Sequence, residues 1–87
     1  MLETISAAEA AGVRVFPHSP FFGPAIVATL HVLATLEEPW CERFYCELEA
    51  YVAGDAVAVA DRMMAVPQGP GLGITIDEAL VARYRIG

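Results

Sequence analysis

His18 and Glu42 are a pair in this 87-residue chain whose types and expected placement together suit proton transfer. An imidazole takes up a proton near neutral pH, and a carboxyl beside it can hold or donate a hydrogen bond. Such a pair suits abstraction of a proton next to a carbonyl. The segment Val13-Arg14-Val15-Phe16-Pro17-His18-Ser19-Pro20 accounts for the placing of the histidine. Val13, Val15 and Phe16 favour a pleated, half-buried surface. Pro17 lacks an N–H and ends the ladder. His18 is therefore expected just past the carboxyl end of a strand over 13–16, the edge where parallel sheets carry ligands. Glu42 falls in a second expected strand over 40–45. Parallel neighbours lie about 4.8 Å apart, so both side chains would converge on one small ligand. The alternatives stay open: an ordinary strand-end hydrogen bond for His18, and a surface ion pair with Arg43 or Arg14 for Glu42.

The remaining reactive side chains point to less. His31 lies in the middle of an apolar run and suits packing or an interface. His18, His31, Cys41 and Cys46 do not have the spacing of a compact zinc site, and no metal site is expected. Cys41 and Cys46 lie five apart on one expected strand, a poor geometry for pairing, and read as free thiols of a reducing cytoplasm. Phe21 and Phe22 either line a pocket mouth or pack against the next layer. The Pro- and Gly-rich run 67–73 lacks GK[ST] and opens no helix directly, so it is a turn-former and not a phosphate loop.

The elements that must position these residues follow from local chemistry. Residues 4–11 form an alanine-rich helix, with Ser6 and Glu9 spaced as in a capping box and Gly12 as its left-handed stop. Gly23-Pro24 opens a second helix running to about residue 36, with proline where a missing donor costs nothing. It is apolar on nearly every face, which predicts cover on all sides. Pro39 follows it, and the strand over 40–45 completes a strand–helix–strand unit. Beyond residue 47 the pattern changes. Short β-prone runs at 56–60 and 62–66 follow a Gly54-Asp55 turn. A last short helix begins near Asp77 or Thr75, with Leu80, Val81 and Tyr84 as its stripe. Helix, strand, helix, strand and irregular tail read as α/β, the closing segment of a (β/α)8-type barrel.

Length and composition bound the possibilities. A complete barrel takes about 250 residues, far more than this chain has. Apolar residues make up 56%, above the 45–50% or so of an ordinary domain, so self-association or a larger whole is expected. The net charge of −6 and the lack of any lysine argue against nucleic acid as a partner. The opening Met-Leu-Glu-Thr is not a signal peptide, and the longest apolar run, at 25–36, is too short to span a membrane.

Three stretches taken together resemble a known family. Residues 7–24 (AAEAAGVRVFPHSPFFGP), 40–44 (WCERF) and 70–74 (PGLGI) are similar to the carboxyl-terminal end of the enolase superfamily, in its mandelate racemase and acid-sugar dehydratase subgroup. The resemblance implies that residues 1–47 hold the sixth helix, seventh strand, seventh helix and eighth strand of the barrel. Residues 48–87 would be a short α+β tail returning to the capping domain. His18 would match the general base or acid acting on the proton α to a substrate carboxylate. Glu42 would match the glutamate that contacts that carboxylate. The substrate would be a hydroxy acid or sugar acid, with Mg²⁺ as the family's cofactor. The family's metal ligands and the aspartate that orients its histidine lie on strands outside this sequence. The resemblance therefore implies that this fragment binds no Mg²⁺ and is inactive alone, needing the missing amino-terminal barrel part. The competing expectation is a small non-catalytic α/β interaction module that forms a homo-oligomer through its apolar helix.

Overall fold

The computed structural model describes residues 1–87. Good helix formers dominate the first residues, and α1 (Leu2–Ala10) begins directly after its N-cap Met1, with no side-chain cap. Ser6 and Glu9 therefore lie inside the helix and form no capping box. The end is as expected. Gly12 sits at φ +69, its N–H donates to the Glu9 carbonyl at 2.9 Å, and the Val13 N–H donates to the Ala8 carbonyl at 2.8 Å. These are the two bonds of a Schellman stop, which needs a residue free to adopt the left-handed region.

Gly23 caps α2 (Pro24–Leu33) in extended conformation, with Pro24 in the first turn. The helix ends before residue 36. Its last turn tightens as the Thr35 N–H reaches the Val32 carbonyl at 3.1 Å and the Leu36 N–H reaches Leu33 at 2.9 Å. Ile26, Val27, Thr29, Leu30 and Leu33 are buried along one side of α2, Ala28, His31 and Val32 are half-buried and Pro24 and Ala25 are exposed, so the cover expected on all sides is partial. A 3₁₀ turn, η1 (Gly54–Val57), supplies Val57, which packs on Ile26 and Val27. Cys41, Tyr51, Ala56, Met64, Leu72 and Ile74 surround this small core. Finally, α3 (Glu78–Tyr84) is capped by Asp77, whose carboxylate accepts the Leu80 N–H at 2.9 Å. It buries no residue of its own.

The expected α/β architecture is not present: the chain forms no sheet. Residues 13–16 and 40–45 contain no strand, and no backbone hydrogen bond joins them. The tail has no α+β character either. Part of 56–60 is taken up by η1, and the single β-type contact is an isolated bridge between Ala60 and Met63. That bridge closes a tight turn in which Asp61 (φ 50) and Arg62 (φ 62) both occupy the left-handed region. The physical reason is that a strand is a pairing and not a local conformation. β-prone residues favour extended backbone, but a ladder forms only when a partner backbone lies alongside. Here the segments after α1 and α2 are held by turns and side chains instead. The (β/α)8-type segment is thus replaced by three helices, a 3₁₀ turn and long connecting loops.

Packing is correspondingly loose. Nine of the 87 residues are buried, and the radius of gyration is 14.5 Å against about 12 Å for a compact domain of this length. Large apolar side chains remain exposed: Phe16 at 57%, Trp40 at 62%, and Tyr45 and Ile86 almost completely. No helix is long and apolar enough to cross a membrane.

Candidate functional site

The loop between α1 and α2 is stiffened by Pro17 and Pro20, which bracket His18 and Ser19. Ser19 is buried at 1% exposure, and its hydroxyl donates to Thr29 Oγ1 at 3.4 Å. Thr29 Oγ1 itself donates to the Ala25 carbonyl one turn back in α2, at 3.1 Å. The loop is therefore tied to the most enclosed helix of the molecule. The backbone N–H of Ser19 donates to Glu42 Oε2 at 2.8 Å. The same oxygen lies 2.7 Å from Nδ1 of His18.

The structure thus brings His18 and Glu42 together, although not by the route of adjacent strands. The His18 side chain is 80% exposed and that of Glu42 45%, so the pair is open to a ligand. The arginines that might have taken Glu42 are engaged elsewhere. Arg14 lies 3.8 Å from Glu38, and Arg43 pairs with Glu47. Chemically, the arrangement offers an imidazole whose ring is held by a fixed acceptor, which is what a proton-transfer group requires.

Phe21 and Phe22 part company. Phe21 is exposed, while Phe22 is half-buried against the rings of Phe44 (5.2 Å between centroids) and Tyr51 (6.2 Å). Phe22 is thus part of an aromatic cluster. His31 lies on the other side of α2, where its Nε2 meets the Leu72 carbonyl at 3.1 Å and ties the 67–73 loop to the helix. Cys41 and Cys46 are both free thiols. Burial, helped by the Glu42 charge, pushes the Cys41 thiol above its ordinary value.

A second polar cluster lies nearby. Arg43 donates to both carboxylate oxygens of Glu47, at 3.0 and 3.1 Å, and the Tyr51 hydroxyl donates to the same carboxylate. These donors hold the Glu47 carboxyl below the usual range, the Arg43 contact first among them. With Asp55 and Val57 they line a cleft of ≈ 250 Å³. Arg43, Glu47 and Tyr51 satisfy one another there, so the cluster reads as a clamp that shapes the loop.

No group of three or more His, Cys, Asp or Glu side chains lies close enough together to hold a metal ion. The residues present do not fit Mg²⁺, because a hard divalent cation requires several oxygen ligands and the only exposed carboxylate beside His18 is already paired with it. Ser19 and Thr29 are the parts of the site that residue chemistry alone did not single out. The available signal was weak but real: a serine locked between prolines next to the histidine, and one hydroxyl within an otherwise apolar helix turn.

Comparisons with known proteins bear on what this arrangement belongs to. The family model described as enolase C-terminal domain-like matches residues 1–80. A curated relative, the arabinonate dehydratase of Saccharolobus solfataricus, is 28% identical over 87 residues, covering 98% of this chain. The chain spans only 23% of that relative's length. No solved structure matches. A family match that runs from the first helix into the last, carrying both His18 and Glu42 within it, means that the chain belongs to the enolase superfamily, in its mandelate racemase and acid-sugar dehydratase group.

Proposed function

We propose that this chain is the carboxyl-terminal part of an enolase-superfamily enzyme that removes the proton α to a carboxylate, as a sugar-acid dehydratase or a racemase. The observation that carries this reading is the contact of 2.7 Å between the exposed imidazole of His18 and Glu42, within a chain of that family. His18 takes the α-proton of a hydroxy acid or sugar acid, or returns it. In a dehydratase the electron pair left on the α-carbon expels the β-hydroxyl, which departs as water by taking the proton that His18 carries. In a racemase the carbon is reprotonated on its other face. Glu42 Oε1 has no protein hydrogen bond and is free to accept from a substrate hydroxyl or, when it carries a proton, to donate to the substrate's carboxylate. Phe21, exposed in the loop, contributes apolar surface there, while Phe22 packs on Phe44 and Tyr51.

The Mg²⁺ that the family's chemistry uses would be held by carboxylates outside these 87 residues, where it would stabilise the charge that develops on the substrate. By itself the chain is inactive, because nothing near His18 offsets the negative charge that develops on the substrate carboxylate. The two free thiols suit a reducing cytoplasm. The test is complementation: the chain is co-expressed with a family member lacking the matching segment. Exchange of the α-proton in D₂O and loss of water are then followed on a panel of sugar acids. Activity that appears with the chain and vanishes with His18→Asn is expected. Equal activity with His18→Asn would overturn the role of His18.

A second reading has its own observation. Exposed Phe16, Trp40, Tyr45 and Ile86 are apolar surface suited to self-association, as in a non-catalytic homo-oligomeric module. It predicts a defined oligomer whose formation does not depend on His18.

A further inference from the structure

The geometry points to Ser19 as the positioning residue of Glu42: its buried backbone N–H takes one carboxylate oxygen, Oε2, and so fixes the other, Oε1, as the one presented to substrate. The inference rests on the reading of Glu42 as a substrate contact, and deepens it. Glu42 has no support from its own segment. Residues 37–47 form no helix or strand and make no backbone–backbone hydrogen bond. The carboxylate is therefore held from outside. Two donors reach Oε2, the Ser19 N–H at 2.8 Å and Nδ1 of His18 at 2.7 Å. They are unequal as supports. The His18 side chain is four-fifths exposed and has little around it, whereas Ser19 is 1% exposed. The fixed partner is the serine.

Ser19 can serve as that fixed point because each of its polar groups is engaged. Its carbonyl accepts the Phe21 N–H at 2.8 Å, closing a tight turn. Its hydroxyl reaches Thr29 Oγ1 on α2 at 3.4 Å, and Thr29 gives its own proton to the Ala25 carbonyl. Pro17 and Pro20 restrict the backbone nearby. The N–H of Ser19 is the donor left over from this loop, and a carboxylate oxygen takes it. With the lone pairs of Oε2 occupied by two N–H donors, Oε1 is the oxygen that accepts from a substrate hydroxyl, or that carries the proton when Glu42 donates. Glu42 touches the substrate, and Ser19 acts through it.

The chain has two serines, so nitrogen-15 serine labelling of the 87 residues gives two amide signals, Ser19 and, inside α1, Ser6 as an internal reference. Ser19 is expected at low field and protected from exchange, since no other protein acceptor meets its N–H. Glu42→Ala should move it to high field and speed its exchange about tenfold, as the loss of a hydrogen bond to a charged group does, with Ser6 unchanged. A wild-type Ser19 amide that exchanges as in a free chain overturns the proposal, and so does a Ser19 signal indifferent to Glu42→Ala. That part needs no activity. The functional part uses the complemented enzyme, with the N–H alone deleted by an amide-to-ester change at position 19 in a chain ligated at Cys41. We expect KM about tenfold higher with kcat within about twofold, and a smaller rise in Ser19→Ala, which keeps the N–H. An unmoved KM, or a rise in Ser19→Ala as large as in the ester, overturns the role of the N–H. If the ester chain fails to fold, the labelled spectra decide. Activity that survives His18→Asn strikes the reading of the site instead and leaves the Ser19 spectra as they are, so the two ideas fall separately.

Discussion

Oε2 of Glu42 receives two donors from adjacent residues, the Ser19 N–H at 2.8 Å and Nδ1 of His18 at 2.7 Å. One oxygen thus ties the loop after α1 to the segment after α2, across 23 residues of sequence. The site is built on that one carboxylate, and the loop that carries it depends on what lies beneath.

What lies beneath is Thr29. Thr29→Val keeps the shape and deletes the hydroxyl that Ser19 uses, leaving a buried serine without its partner. We expect a loss of about 1 kcal/mol, read as a lower urea midpoint, because a buried hydroxyl left unpaired forfeits its net hydrogen bond. Ser19→Ala should lose less, since the amide that holds Glu42 remains. A stability unchanged in Thr29→Val would show that the Ser19–Thr29 contact holds nothing.

Two glycines should respond differently to alanine. Gly73 has φ +71, and an added Cβ would lie 2.8 Å from the Gly69 nitrogen and 2.8 Å from the Pro67 Cβ. Gly12 has φ +69 with nothing within 4 Å. Gly12→Ala should cost roughly 1 kcal/mol for the left-handed backbone alone. Gly73→Ala should cost more, by a further ~1–3 kcal/mol for the clash. Equal midpoints in urea would contradict the close approach of Gly69 to Gly73.

Acid should weaken the clamp on Glu47. Its carboxyl is held below the ordinary glutamate value by the hydrogen bonds from Arg43 and then Tyr51. A depressed folded-state value means the contribution is complete above the unfolded value, about 4.3, and is lost as pH falls through the depressed one. The urea midpoint should therefore decline below about pH 4, and Glu47→Gln should flatten that part of the profile. At the opposite end, the Tyr84 hydroxyl donates to Glu49 at 2.5 Å, which raises its value. That contribution is present below the unfolded tyrosine value, near 10, and is lost as pH rises through the raised one, so Tyr84→Phe should remove it.

Cys41 reports on Glu42 from another direction. Burial, and after it the Glu42 charge, keeps the Cys41 thiol protonated further into the alkaline range. Glu42→Gln should speed its alkylation by iodoacetamide at fixed mildly alkaline pH, because the thiolate is the reacting form. The effect should be a few-fold, as burial remains in the variant. An unaltered rate, followed by mass spectrometry at Cys41, would count against the electrostatic contact.

The exposed apolar side chains should make the chain associate. Phe16, Trp40, Tyr45 and Ile86 leave more apolar surface in water than the small core around Ile26, Val27 and Val57 can balance. Sedimentation equilibrium should show mass rising with concentration, and Phe16→Ser with Trp40→Ser should reduce it. A monomer at every concentration with a cooperative melt would refute this expectation.

The features that sequence alone determined are those that depend on one residue and its immediate neighbours. Gly12 stops α1, Gly23-Pro24 opens α2, Asp77 caps α3 and the 67–73 run turns, because each follows from a fixed φ, a missing N–H or a short polar side chain. The family was legible for a related reason: PHSPFFGP and WCERF carry chemistry in the order of their residues. The sheet was not legible as present or absent, because pairing depends on a second backbone that no local pattern in residues 13–16 or 40–45 can supply. His18 and Glu42 could be named as a pair from their types and expected strands. The contact they make, however, comes through a buried serine and a helix threonine, and the long loops decide that one oxygen serves both donors. Tertiary structure alone could set that geometry, since hydrogen bonds between residues far apart in the chain exist only when the intervening loops bring donor and acceptor within 3 Å or so.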